Sequence, residues 1–159
     1  MGSLFDWLAK ACAVVGGLCM VAITLVTTGS IIGRWLFSNP LLGDTELVQF
    51  GMAVAVAAFM PLAQWRGANI IVDFFTTSSS IGTRRRLDNF GALTIAVMMA
   101  LIAWRTAAGT VSQRDSGSTT MLLQWPEWVA FALMVPPLAL TAAIGLYTAA
   151  TGRDGQGKP

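Results

Sequence analysis

Four long apolar stretches, at residues 11–33, 47–65, 87–107 and 128–152, occupy most of this chain, and the segments joining them are short. A bilayer hydrocarbon core ~30 Å thick needs roughly 20 mostly apolar residues per spanning helix. Each stretch meets or approaches that length. The sequence therefore predicts an all-α membrane protein with four transmembrane helices, at about residues 11–36, 46–65, 87–108 and 127–151, in a single domain covering 1–159. Almost nothing is left outside the bilayer, so function belongs within the membrane or against other membrane proteins.

Composition removes whole classes of activity. Residues are 55% hydrophobic and only 11% charged, whereas soluble domains carry about 25% charged residues. A net charge of +2, dispersed along the chain, offers no surface for nucleic acid. Histidine is absent, which excludes His-ligated haem, zinc or copper and a Ser-His-Asp nucleophile. No metal or other cofactor is expected. Cys12 and Cys19 stand seven residues apart in the first stretch. On a helix their Cα atoms would be about 10 Å apart, beyond the ~7 Å limit of a disulfide, so they read as two small buried apolar residues.

The first stretch is too long for a signal-peptide core of roughly 7–15 residues and no Ala-x-Ala site follows it. It reads as a retained helix, led in by an amphipathic segment at residues 1–10 with Trp7 suited to the interface. Ser38-Asn39-Pro40 breaks that helix. Asp44 suits an N-cap and Glu46 a first-turn acid of the second helix. Pro61 in the second span and Pro136-Pro137 in the fourth predict local bends. Between spans two and three, Ile70, Ile71, Phe74 and Phe75 share one helical face. That segment suits either a short amphipathic helix lying in the membrane plane among the lipids or an irregular loop with anchoring aromatics. The polar connection at residues 111–125 contains Arg114 and Asp115, and Pro126 fits the first position of span four.

Basic residues set the orientation. Lys10, Arg66, Arg84–Arg86, Arg153 and Lys158 lie on one side, with only Arg114, and Arg34 and Arg105 near the membrane edge, on the other. Both termini are expected in the cytoplasm.

Charges at membrane depth cost ~2.5–3.5 kcal/mol on insertion scales and need partners or an exit to the interface. Arg34 and Arg105 would snorkel outward or pair with Asp44 or Glu46, and Arg66 with Asp73 forms a similar pair at the cytoplasmic edge. Small residues, among them Gly16, Gly17, Gly51 and the pairs Gly29/Gly33 and Ala53/Ala57, permit close helix approach. No span carries a carboxylate near its midpoint, and no acid, base and nucleophile converge. The residues alone thus describe an accessory or scaffolding subunit and not an enzyme.

Gly43-Asp44-Thr45-Glu46-Leu47, an alanine-rich helix, and then Arg66-Gly67-Ala68-Asn69-Ile70-Ile71-Val72-Asp73 resemble the small membrane subunit, DctQ type, of tripartite ATP-independent periplasmic (TRAP) transporters. In that family an acidic pair opens the second helix, an Arg-x-x-x-His-Ile-x-Val-Asp run closes it, and a basic cluster precedes the third. Asn69 stands where histidine is usual.

The resemblance implies an inner-membrane, multi-pass subunit of a sodium-coupled transporter, paired with a large multi-span subunit that itself holds the sodium and substrate. A periplasmic substrate-binding protein would deliver an organic acid. The small subunit would brace the scaffold of the large one and help dock the binding protein. Arg34, Glu46, Arg66, Asp73 and Arg105 are the residues expected in structural or intersubunit contacts. Asp44, Glu46, Arg114 and Asp115 are those expected at the docking surface. The competing reading is a self-sufficient small multidrug-type exporter acting as a homo-oligomer, although its usual embedded glutamate is missing from the first span.

Overall fold

The computed structural model describes residues 2–37, 43–67 and 81–151, without the side chains of residues 37 and 81–88. Four helices follow in order: α1 (Gly2–Phe37), α2 (Asp44–Trp65), α3 (Ile81–Ser116) and α4 (Trp128–Thr151). All four contain a segment long and apolar enough to cross a membrane. The segment proposed to lie in the membrane plane, and Asp73 within it, fall outside the described residues.

The helices extend past the apolar stretches that announce them. α1 is continuous from Gly2, its first turns held by an i,i+4 ion pair in which Lys10 Nζ lies 2.7 Å from Asp6. Phe5 packs between Trp65 and Tyr147, with ring centroids 6.3 and 5.3 Å away, so the start of α1 is tied to the ends of α2 and α4. α3 runs on through the polar residues Gln113 and Arg114 to Ser116 and stops at Gly117, whose φ of 64° supplies the left-handed turn.

Two expectations about helix starts are corrected. Gly43, at φ 84°, occupies the cap position of α2, and Asp44 is the first helical residue. Pro126 lies before α4 proper, bridged antiparallel to Thr119, because residues 118–127 fold as a compact turn before the helix begins. Cys12 and Cys19 are free thiols and are half-buried, not fully buried.

The helices pack as an open row in the order α1, α2, α4, α3. α1 meets α4 only marginally, and neither α1 nor α2 packs broadly on α3. Accordingly 39% of the apolar window of α4 is buried and 28% of that of α2, against 11% for α3 and 6% for α1. The inner pair is sandwiched, and the outer pair shows most of its surface to whatever surrounds it.

Contacts inside the row rest on small side chains. Lipid tails are as apolar as leucine, so helix association in a bilayer depends on close approach and not on the hydrophobic effect. Ala55, Ala57, Ala58, Ala96, Ala103, Ala130 and Ala142 are all buried. An added Cβ on Gly145 would lie 2.9 Å from Ala96 Cβ, and one on Gly51 would lie 2.6 Å from Ile23 Cδ1. Gly17 and Gly29, by contrast, face open space. α2 and α4 stay helical across Pro61 and Pro136-Pro137, and the buried Thr141 hydroxyl donates to the Pro137 carbonyl at 2.8 Å.

Candidate functional site: a braced turn at one end of the row

The start of α2 and the turn joining α3 to α4 meet at one end of the array. Gly43 brings the chain into α2 in a left-handed conformation, directly under Leu123: a Cβ on Gly43 would stand 2.6 Å from Leu123 Cγ. One turn of helix then places Glu46 beneath the same loop. Glu46 Oε1 accepts the Leu122 amide at 2.8 Å and Oε2 accepts the Leu123 amide at 3.0 Å. Both carboxylate oxygens are used, which is the strong, charge-assisted form of this bond.

The turn is further closed by its own backbone. Thr120 N–H donates to the Trp125 carbonyl at 2.9 Å, Trp125 N–H returns to the Thr120 hydroxyl at 3.1 Å, and Glu127 N–H donates to the Ser118 carbonyl at 3.1 Å. Gln124 takes φ 55° within it. The result holds large apolar side chains outward: Met121 is 90% exposed, Leu122 61% and Trp125 53%.

Asp44 braces the same end from the other side. Its Oδ2 accepts the hydroxyl of the buried Ser30 at 2.6 Å, and its Oδ1 accepts the Thr45 amide at 2.7 Å. Ser30 therefore fastens α1 to α2, which the sequence left unremarked. Ser30 is one of several hydroxyls late in that span, after Thr24, Thr27 and Thr28, so nothing in the sequence singles it out.

The other residues singled out from sequence distribute as follows. Arg34 is exposed near this end and forms no salt bridge with Asp44 or Glu46. Arg114 lies 5.6 Å from the Trp128 ring centroid, a cation–π arrangement linking the end of α3 to the start of α4. Asp115 is exposed in the last turn of α3. Gln113 Nε2 donates to Glu127 at 3.3 Å across the same junction. At the opposite end Arg66 caps α2 with its backbone, N–H to the Leu62 carbonyl at 3.0 Å, while its side chain is exposed.

Arg105 stands apart from these contacts. It is exposed on α3, within the membrane-length segment Asn89–Ser116, and it reaches neither Asp44 nor Glu46. α3 continues for three turns beyond it because residues 108–116 stay helical.

Among the described residues no group of His, Cys, Asp or Glu could hold a metal ion. The described residues at this end form hydrogen-bonded support for a projecting apolar turn.

The family model for the DctQ component of tripartite ATP-independent periplasmic transporters matches residues 23–154, the greater part of the chain. The chain belongs to this family. As a DctQ component it is a small membrane subunit of a TRAP transporter, a family of transport components and not of enzymes, whose members act with a large membrane subunit and a substrate-binding protein. No curated protein and no solved structure matches it.

Proposed function

We propose that this DctQ component braces the static scaffold of the large subunit of a sodium-coupled TRAP transporter and helps dock the periplasmic binding protein during uptake of an organic acid. It sits in the inner membrane with both termini in the cytoplasm, so the turn at residues 118–127 faces the periplasm. Sodium and substrate bind the large subunit.

The observation that carries the bracing role is the open row of helices. α1 and α3 have one packed side each and present long apolar surfaces, with Val14, Leu18, Leu25, Val97, Met98 and Leu101 half or more exposed. A chain that closed on itself would bury these faces. Support for docking comes from the turn that Glu46 holds in place, with Met121 and Leu122 projecting. A rigid apolar projection suits recognition because little conformational freedom is lost on binding.

The test is co-purification of the tagged chain from its native membrane, with mass spectrometry of what stays bound and uptake assays on Glu46→Ala. A large multi-span protein in near-equal amount is the expected result. Purification of the chain alone as a stable homo-oligomer would favour the self-sufficient exporter instead.

A further inference from the structure

Helix α1 carries an indole ring near each of its ends, and the row provides neither ring with a partner. Gly16, Ile23 and Ser30 turn toward α2, and Trp7 and Trp35 lie on the side of the wheel away from them. Trp7 is 66% exposed and Trp35 84% exposed. The aromatic cluster at the Trp65 end takes Phe5 from α1 and leaves Trp7 outside it. Among the described residues neither indole N–H makes a hydrogen bond. The two rings are 28 residues apart on one continuous helix, a rise of about 42 Å. A bilayer with its headgroup regions is ~40–45 Å thick. Tryptophan concentrates in those two regions, where its ring is half solvated and its N–H finds an acceptor. Residues 11–33 between the rings carry no charge, and the flanking Lys10 is paired with Asp6. Standing nearly upright, α1 thus brings both rings to headgroup level at once.

What lies between the rings separates lipid from protein as the occupant of this face. Contacts inside the row are made by small side chains: Gly16 lies against Ala55 and Ala58, and Gly145 against Ala96. Two helices in a bilayer need such residues, because close packing must supply the attraction that water supplies elsewhere. The outer stripe of α1 is built differently. Val14, Leu18, Leu25 and Ile32 recur at helical spacing, and all four are exposed. Gly17 and Gly29, where an added Cβ meets nothing within 4 Å, fall on opposite sides of that line and not along it. Bulky side chains keep a second backbone at a distance. Acyl chains pack against them with no such requirement.

We infer that the outer face of α1 is a lipid-facing edge of the assembled transporter. Trp7 and Trp35 sit in the two headgroup regions, and the aliphatic stripe between them meets acyl chains. The large subunit then packs elsewhere on the row, and α1 closes the complex on the side of the membrane lipids.

This inference rests on the accessory-subunit reading and divides the open surface of the row between lipid and partner. Its test places a photo-crosslinking amino acid at Leu18 or Leu25 of the chain, co-expressed with the large subunit. Pull-down through a tag on this chain reports the partner, and mass spectrometry of the irradiated product identifies what α1 touches. We expect phospholipid adducts at both positions and no adduct with the large subunit. Leu25→Trp should recover the large subunit to within about twofold of the parent, since the larger side chain displaces only lipid. An adduct joining either position to the large subunit, or to a second copy of this chain, overturns the inference and leaves the reading standing. A tenfold loss of partner in Leu25→Trp, at the parent's level of membrane insertion, has the same meaning. Should the parent bring down no large subunit, the reading fails and the inference about the assembled transporter with it.

Discussion

Glu46 Oε1 lies 2.8 Å from the backbone nitrogen of Leu122, seventy-six residues further along the chain. That bond, with the one from the Leu123 amide to Oε2, joins the first turn of α2 to the loop between α3 and α4. Removing the carboxylate leaves two amides unmet while the α3 and α4 helices remain intact. Glu46→Ala is expected to loosen residues 118–127 without unfolding the row. Limited proteolysis in detergent should show several-fold faster cleavage near Met121, with little change in helicity by circular dichroism. Glu46→Gln keeps one acceptor oxygen and should fall between the two. Unchanged cleavage in both variants would remove Glu46 as the brace.

Gly43 combines two demands that a double substitution can separate. A side chain there meets a φ of 84° and also stands 2.6 Å from Leu123 Cγ. The left-handed conformation alone costs a non-glycine residue about 1–2 kcal/mol, and the crowding adds to it. Gly43→Ala should therefore lower stability by more than Gly43→Ala does in a Leu123→Ala background. Thermal unfolding in a fixed detergent measures the difference. Strict additivity of the two changes would show that the crowding is relieved without strain.

Gly145 and Gly17 make a matched pair for the packing of the row. A Cβ on Gly145 meets the Cβ and the Cα of Ala96 at 2.9 and 3.2 Å, and the backbone of α3 cannot step aside as a flexible side chain would. Gly145→Ala is expected to destabilise by about 1–3 kcal/mol, the usual range for overpacking. On Gly17 a Cβ meets nothing within 4 Å, so Gly17→Ala should be neutral in the isolated subunit. Equal effects at the two sites in detergent unfolding would contradict the helix order α1, α2, α4, α3.

The contrast between those glycines also shows where the sequence stops being informative. Hydropathy located all four helices, because the length and polarity of a span are set by the bilayer and not by neighbours. It could not order them. Gly16, Gly51 and Gly145 mark true contacts, whereas Gly17 and Gly29 carry the same local signature on open faces. The charged residues behave alike. Asp44 and Glu46 stood out as the acids of an N-terminal turn, but their partners Ser30, Leu122 and Leu123 are remote in sequence and two of them act through the backbone. The connection before the last span begins later than the sequence suggests, because Gln113, Arg114 and Asp115 look like a loop. They remain helical, held by the Gln113–Glu127 hydrogen bond and by Arg114 on Trp128.

Orientation is the prediction on which the docking role turns. The excess of Lys and Arg at the Trp65 end of the row, with Lys10 and Arg66, predicts that end in the cytoplasm and the braced turn in the periplasm. A cysteine-free parent needs only Cys12→Ala and Cys19→Ala, both free thiols on α1. In that background Asp115→Cys reports one end of the row and Ser3→Cys the other, and both positions are exposed. A membrane-impermeant maleimide added to intact cells should label Asp115→Cys and not Ser3→Cys, and permeabilised cells should show both. The reverse pattern would put Met121 and Leu122 in the cytoplasm, where a periplasmic binding protein cannot reach them. Family membership would stand in that case, and the contribution of Glu46 would be purely one of stability.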